Sequence, residues 1–168
     1  MALIEVLTGL AKDPIGYSVV FLIYSILAAV ILPIPVELGL FNYHIHPAIL
    51  ISILALGKGI GALIVFEIGT STRKRLKKYS SPKNRFIKKM VEYSESFVKK
   101  YGYYGLFVIL STPLMIDSIS LYLFSLLNPE EEGEGMERNG FVLINIIAGA
   151  LRGIITLVVF YRVGIKLV

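Results

Sequence analysis

Cysteine, tryptophan and glutamine are all missing from this 168-residue chain. Without cysteine the chain can form no disulfide or iron–sulfur cluster and has no thiol nucleophile. Charged residues are also scarce, at 17% of the chain, against about a quarter in soluble domains. The composition therefore argues against a soluble globular domain.

Apolar residues make up 55% of the chain and are gathered into long stretches between clusters of charge. Four such regions lie at about 15–32, 48–69, 103–127 and 141–163, close to the roughly 20 residues that cross a bilayer. The first 14 residues lack a basic n-region and a small-residue cleavage site, so we expect the first apolar region to be retained. The sequence predicts an all-α integral membrane protein, a single domain of about four spanning helices.

Charge divides the chain into two halves. Eleven Lys or Arg lie in 70–101, whereas five Glu and one Arg lie in 128–140. We assign half 1 to about 15–69, a basic connector to 70–102 and half 2 to about 103–164. Since Lys and Arg mark the cytoplasmic side, the connector and the C-terminus are predicted to be cytoplasmic and the Glu-rich loop external. The net charge of +5 thus reports topology, and no nucleic-acid partner is predicted.

The connector also carries the pattern of a basic amphipathic surface helix. Ser81 suits an N-cap and Pro82 suits the first helical turn. Apolar residues then recur at helical spacing among basic ones as far as Gly102, which is a predicted stop. Such a helix should lie on the membrane with its cations near anionic headgroups, either as a topology anchor or as a lipid-recruiting element.

Two proline breaks interrupt the apolar regions, and an acid follows each break. Pro33 and Pro35 precede Glu37, and Pro113 stands four residues before Asp117. Proline removes a backbone donor and restricts the residue before it, so each break should end a helix. Glu37 could lie in a plain surface loop, but its apolar flanks favour a re-entrant segment covered by protein or by a water-filled cavity.

Each break is followed by a helix that carries a Gly-x-x-x-Gly pair and a deep cation. The glycines are Gly57, Gly61, Gly149 and Gly153, and the cations between them are Lys58 and Arg152. Small residues let helices pack closely, and buried cations need counter-charges, for which the two acids are candidates. This duplicated order is typical of transporters built from inverted repeats, whose substrate site lies at the repeat interface.

These stretches resemble the DedA family, also called VTT or SNARE-associated-like membrane proteins. The matching pieces are "PIPVE" at 33–37, "GKGIGALIVFEIG" at 57–69, "FVKKYGYYGLFVILSTP" at 97–113 and "INIIAGALRGIITLVVFYRVG" at 144–164. The chain departs from the family pattern at Ala62, where the family often has an acid, and at Leu110 and Ile116, where its R-F-x-P-x-x-R motif has arginines. A weaker resemblance links "YGYYGLF" at 101–107 to the small multidrug export family.

The DedA resemblance implies lipid transport, with polyprenyl phosphate or anionic phospholipid as the headgroup and proton coupling as an option. Glu37, Asp117, Arg152 and Lys58 are the candidate transport residues, because a phosphate needs a cationic, partly wet cavity. Two other classes stay open. One is a small multidrug or ion exporter that uses the acids against cations, and the other is a non-transporting membrane assembly protein. The sequence is also compatible with a homo-oligomer.

No enzymatic or cofactor motif is found in the sequence. A nucleophile elbow, a phosphate-binding glycine loop and a zinc helix motif are all missing. Ser111, Asp117 and the two histidines do not compose a nucleophile with its base. His44 and His46 have no third ligand nearby, which favours an interfacial turn over a metal site. We therefore predict no enzymatic activity, no cofactor and no metal.

Overall fold

The computed structural model describes residues 7, 9–31, 36–79, 85–113, 117–129 and 135–163. Within these ranges the chain is all-helical, as predicted, and contains no strand. Its elements are α1 (Pro14–Val30), a 3₁₀ helix (Val36–Leu40), α2 (Pro47–Tyr79), α3 (Arg85–Ser111), α4 (Asp117–Leu127) and α5 (Arg138–Val163). Several residues with predicted local roles lie outside the described ranges: Pro33, Pro35, Ser81, Pro82 and Ile116.

Two helices begin at clear start signals. Asp13 caps α1 by accepting a hydrogen bond from the Ile15 N–H at 3.2 Å, and Pro14 occupies the first turn. His46 accepts a hydrogen bond from the Ala48 N–H through Nδ1 at 3.3 Å, just before α2. His46 therefore lies in a turn and caps a helix.

Two of the described helices are long and apolar enough to cross a membrane, α2 over Pro47–Arg75 and α5 over Arg138–Phe160. The helices α1 and α4 are apolar but shorter, with 17 and 11 residues. The length and composition of α2 and α5 indicate an association with membranes. The sequence predicts about four spanning helices, and two of the described helices are long and apolar enough.

The chain turns back after α1. The Asn42 side chain donates a hydrogen bond to the Ala11 carbonyl at 3.1 Å, and the Tyr17 hydroxyl donates to the Gly39 carbonyl at 2.9 Å. Both bonds tie the stretch after the break to the beginning of α1. Helix α2 consequently begins at the same end of the bundle as α1.

Glycines allow α1 and α2 to pack in direct contact. A Cβ added at Gly61 would lie 2.5 Å from the Cβ of Ala29 and 3.1 Å from the carbonyl oxygen of Ile26. One turn earlier, Gly57 faces Ser25 in the same way. Because the later glycine meets the later residue of α1, the two helices run parallel, and small residues set their close approach.

The chain turns back a second time after α3, whose end at Ser111 agrees with the predicted break at Pro113. Helix α4 runs in reverse along α3, so that Phe124 packs near Gly105. Beyond α4 the returning chain places Met136 against Gly102. The apolar region 103–127 is therefore a hairpin.

Asn128 holds together the two ends of the Glu-rich loop. Its side chain donates a hydrogen bond to the Met136 carbonyl at 2.7 Å and accepts one from the Met136 N–H at 2.6 Å. The Glu137 N–H in turn donates to the Tyr103 hydroxyl at 2.9 Å. These bonds fix both ends of the loop beside α3.

Helix α5 runs antiparallel to α2. Gly153 packs against Leu54, and Gly149, one turn earlier, also faces α2. Towards the other end, Arg138 Nε lies 3.2 Å from Glu67 Oε1. Both long helices thus follow a turned-back segment, and they point in opposite directions.

The positions of the chain ends correct the predicted orientation. The basic connector starts at the end of the bundle to which the Glu-rich loop returns, as the pairing of Glu67 with Arg138 shows. The far end of α5 lies at the opposite end, where Phe160 packs on Phe41 with ring centroids 4.2 Å apart. This arrangement in the bundle differs from the predicted one, which places the connector and the C-terminus on one side and the loop on the other by treating 103–127 as one crossing.

The predicted helix stop at Gly102 is also wrong, since α3 continues through it to Ser111. A Cβ added at Gly102 would lie 2.9 Å from the sulfur of Met136. Glycine at this position lets the returning chain approach α3 closely, so its role is packing and not termination.

Candidate functional site: a buried ion cluster

Four charged side chains meet where α2 crosses α5. Glu37, Lys58, Asp117 and Arg152 are each at most 8% exposed, and Arg152, at 1%, leads the fully buried side chains in volume. They come from four different elements, namely the 3₁₀ helix, α2, α4 and α5. The structure therefore brings together all four candidate transport residues of the sequence analysis.

The ion cluster formed by these four residues is a chain of ion pairs. Lys58 Nζ lies 2.8 Å from Asp117 Oδ2, and Arg152 Nη1 lies 2.5 Å from Asp117 Oδ1. Arg152 Nε pairs with Glu37 Oε1. Two cations face two acids, so the formal charges cancel. The planar guanidinium allows Arg152 to hold both acids at once, which a lysine ammonium does less well.

Local structure places each acid at the start of a returning segment. Asp117 is the first residue of α4, where the helix dipole favours a negative charge. Glu37 lies in the first turn of the 3₁₀ helix. Each returning segment therefore brings an acid into the interior of the bundle.

Apolar packing encloses the ion cluster from both ends of the bundle. One hydrophobic core cluster contains Leu54 and the other contains Ala62, which lie one turn before and one turn after Lys58. Arg152 is bracketed by the same two core clusters along α5. In such surroundings, removing one partner of an ion pair leaves an uncompensated buried charge.

Some bonding capacity in and near the ion cluster is unused. Among the residues that the structure describes, Glu37 Oε2 accepts no hydrogen bond, and Lys58 forms one ion pair, to Asp117. The hydroxyl of Ser111, buried beside the second break, also has no hydrogen-bond partner within those ranges. Buried polar groups are normally satisfied, by protein or by ordered water, so the site can accept further polar groups.

Sequence reasoning missed two buried polar residues that support this region. Arg73, assigned to the basic connector, is 5% exposed and donates to the Leu126 carbonyl at 3.5 Å, at the end of α4. Tyr24 is fully buried on α1 and interacts electrostatically with Glu37. Arg73 stands in a run of basic residues and Tyr24 in an apolar run, so neither carries a local signal that sets it apart.

A groove of about 460 Å³ opens on the side of the bundle between the end of α1 and α4. Its lining is mainly apolar: Val30, Ile31, Ser118, Ile119, Tyr122, Leu123 and Leu126. Ser118 directly follows Asp117 on α4, so the groove is lined by a residue next in sequence to the ion cluster. Within the described ranges, no group of three His, Asp or Glu side chains could hold a metal ion.

The described residues form an all-helical protein in which two long antiparallel helices meet at a buried, formally neutral ion cluster. No family model, curated protein or solved structure matches the chain. The DedA resemblance of the sequence motifs therefore stays a prediction.

Proposed function

We propose that the protein is a DedA-like multi-pass membrane transporter of lipid or polyprenyl-phosphate headgroups, with the ion cluster as its substrate site. The observation that carries this proposal is the buried pairing of Glu37 and Asp117 with Arg152 and Lys58. Charges inside a membrane are costly and are typical of transport pathways. Substrate sites of inverted-repeat transporters lie between the two repeats, which is where this cluster lies.

The cations of the ion cluster suit a phosphate headgroup. A phosphate could replace a carboxylate on the guanidinium of Arg152, because the same planar fork binds both groups. Glu37 is the acid more easily displaced, since Asp117 pairs with two cations and Glu37 Oε2 accepts no hydrogen bond from a described residue. Protonation of the displaced acid would avoid an unpaired buried charge, which would couple headgroup binding to proton uptake.

The lateral groove favours a lipid over a small soluble ion. Its lining is mainly apolar, and it includes Ser118, the residue that follows Asp117 on α4. A hydrocarbon chain could therefore stay in the groove or in the surrounding lipid while the headgroup enters the cluster.

In a bilayer, α2 and α5 would be the spanning helices and the two turned-back segments would be re-entrant. Irregular backbone at membrane depth is tolerated where protein covers it. The basic connector would face the cytoplasm, and the Glu-rich loop would lie on the same side. The C-terminal end of α5 would lie on the other side.

Reconstituted liposomes test the proposed function. The purified protein should accelerate the movement of a fluorescent phospholipid or a fluorescent polyprenyl phosphate between leaflets, and the two probes in separate liposomes identify the headgroup. Glu37→Gln should slow this movement by about tenfold or more, because the amide can neither take up the coupled proton nor return to Arg152 as a charged partner when the headgroup leaves. Arg152→Ala should abolish it.

Glu67→Gln is the matched control, since the same change is made at an acid whose side chain is 54% exposed. It should keep the wild-type rate. Folded wild-type protein that moves neither lipid would contradict the proposal. Proton-linked efflux of organic cations from the same liposomes would then identify a multidrug exporter, and the loss of both activities would leave an assembly protein.

A further inference from the structure

The two halves contribute equivalent groups to the ion cluster. Half 1 supplies Glu37 from the 3₁₀ helix and Lys58 from α2, and half 2 supplies Asp117 from α4 and Arg152 from α5. In each half the acid starts the returning segment, and the cation lies roughly three to four turns into the long helix. Because α2 and α5 are antiparallel, the two sets approach each other from opposite ends.

The ion pairs within the two halves are not equivalent. Two ion pairs cross between the halves, Lys58 with Asp117 and Arg152 with Glu37. A third pair, Arg152 with Asp117, lies within half 2. Its counterpart within half 1 would join Lys58 to Glu37, and no such pair occurs among the described residues in this conformation.

We infer that the protein has a second conformation, in which a Lys58–Glu37 pair replaces the Arg152–Asp117 pair while both cross-half pairs persist. The inference rests on the proposed transport function, because inverted-repeat transporters alternate access by moving one repeat against the other. Glu37 and Lys58 both have unused bonding capacity for the new pair. Glu37 Oε2 accepts no hydrogen bond from any described residue, and Lys58 Nζ forms one ion pair within the described ranges, to Asp117.

The proposed exchange predicts that substitutions of the two acids shift the conformational populations in opposite directions. In the conformation described, Asp117 forms two ion pairs and Glu37 forms one, and in the second conformation these numbers are reversed. Glu37→Gln should therefore favour the conformation described, and Asp117→Asn should favour the second. By the same reasoning Lys58→Met should act like Glu37→Gln, and Arg152→Met like Asp117→Asn.

Distances between spin labels on the full chain in lipid nanodiscs measure this exchange. Cysteines at Ile15 and Val159 report on the end where α1 begins, and cysteines at Ile68 and Tyr104 report on the opposite end. All four side chains are at least 44% exposed, and the chain has no native cysteine to compete for label. Two distance populations are expected at each end, and one end should widen as the other narrows.

Each amide substitution removes one more charge-assisted contact from one conformation than from the other, which should change the population ratio by roughly tenfold. Glu37→Gln and Asp117→Asn should shift the ratio in opposite directions, and Glu67→Gln should leave it unchanged. A single population in the wild type, or shifts of the same sign, would overturn the exchange. If the protein moves lipid but shows a single distance population, the exchange is contradicted and the proposed function is not. If it shows two distance populations but moves no lipid, the proposed function is contradicted and the exchange is not.

Discussion

Replacing Arg152 by methionine should lower the free energy of unfolding by about 3–5 kcal/mol, because the carboxylates of Glu37 and Asp117 lose a shared buried cation. Both carboxylates are at most 8% exposed, so bulk water compensates little of the loss. Unfolding in mixed micelles measures the change. In liposomes the same variant should lose lipid movement.

Arg162→Met is the matched control, because Arg162 is a basic residue of the same helix with an exposed side chain. It should change stability by no more than about 0.5 kcal/mol. Adding Glu37→Gln to Arg152→Met should restore part of the lost stability, since Lys58 and Asp117 then remain as a balanced pair. Equal losses at 152 and 162 would refute a buried role for Arg152.

Replacing Gly61 by leucine should lower the free energy of unfolding by at least about 1–3 kcal/mol, because the new side chain would be forced against the backbone of α1. Even a Cβ at this position would lie 3.1 Å from the Ile26 carbonyl oxygen, which cannot rotate away as a side chain could. Gly9→Leu is the control, since a Cβ there would meet nothing within 4 Å. If the two variants unfold alike, α1 and α2 are not in direct contact.

The breaks and their acids could be predicted from the sequence because their signals are local. Pro113 fixes the end of a helix within a few residues, and an acid in an apolar region needs a partner wherever the region folds. Lys58 and Arg152 were candidates for the same reason. Each of these inferences depends on one residue and its immediate neighbours.

The direction of the chain after Pro113 could not be predicted in this way. An apolar stretch such as 103–127 has a suitable length for one crossing and equally for a hairpin, and its hydropathy is the same in both. The contact of Met136 with Gly102 decides between them, and it joins residues far apart in the sequence. The charge rule predicts a different arrangement because it was applied to 103–127 as a single crossing.

The partners within the ion cluster also depend on long-range register. Either acid could have paired with either cation, and Lys58 could have extended its side chain towards solvent. The packing of Gly149 and Gly153 against α2 sets the axial register of the two long helices. This register places Lys58 of α2 beside Asp117 of α4.

Side-specific labelling of single cysteines in oriented membrane vesicles tests most directly whether both breaks turn the chain back. Ser71 and Asn139 are exposed at one end of the bundle, and Tyr43 and Arg162 are exposed at the other. An impermeant maleimide should modify cysteines at 71 and 139 from one side of the membrane, and cysteines at 43 and 162 from the opposite side. Modification of positions 71 and 139 from opposite sides would mean that 103–127 crosses the membrane, and Asp117 could not then return to meet Glu37.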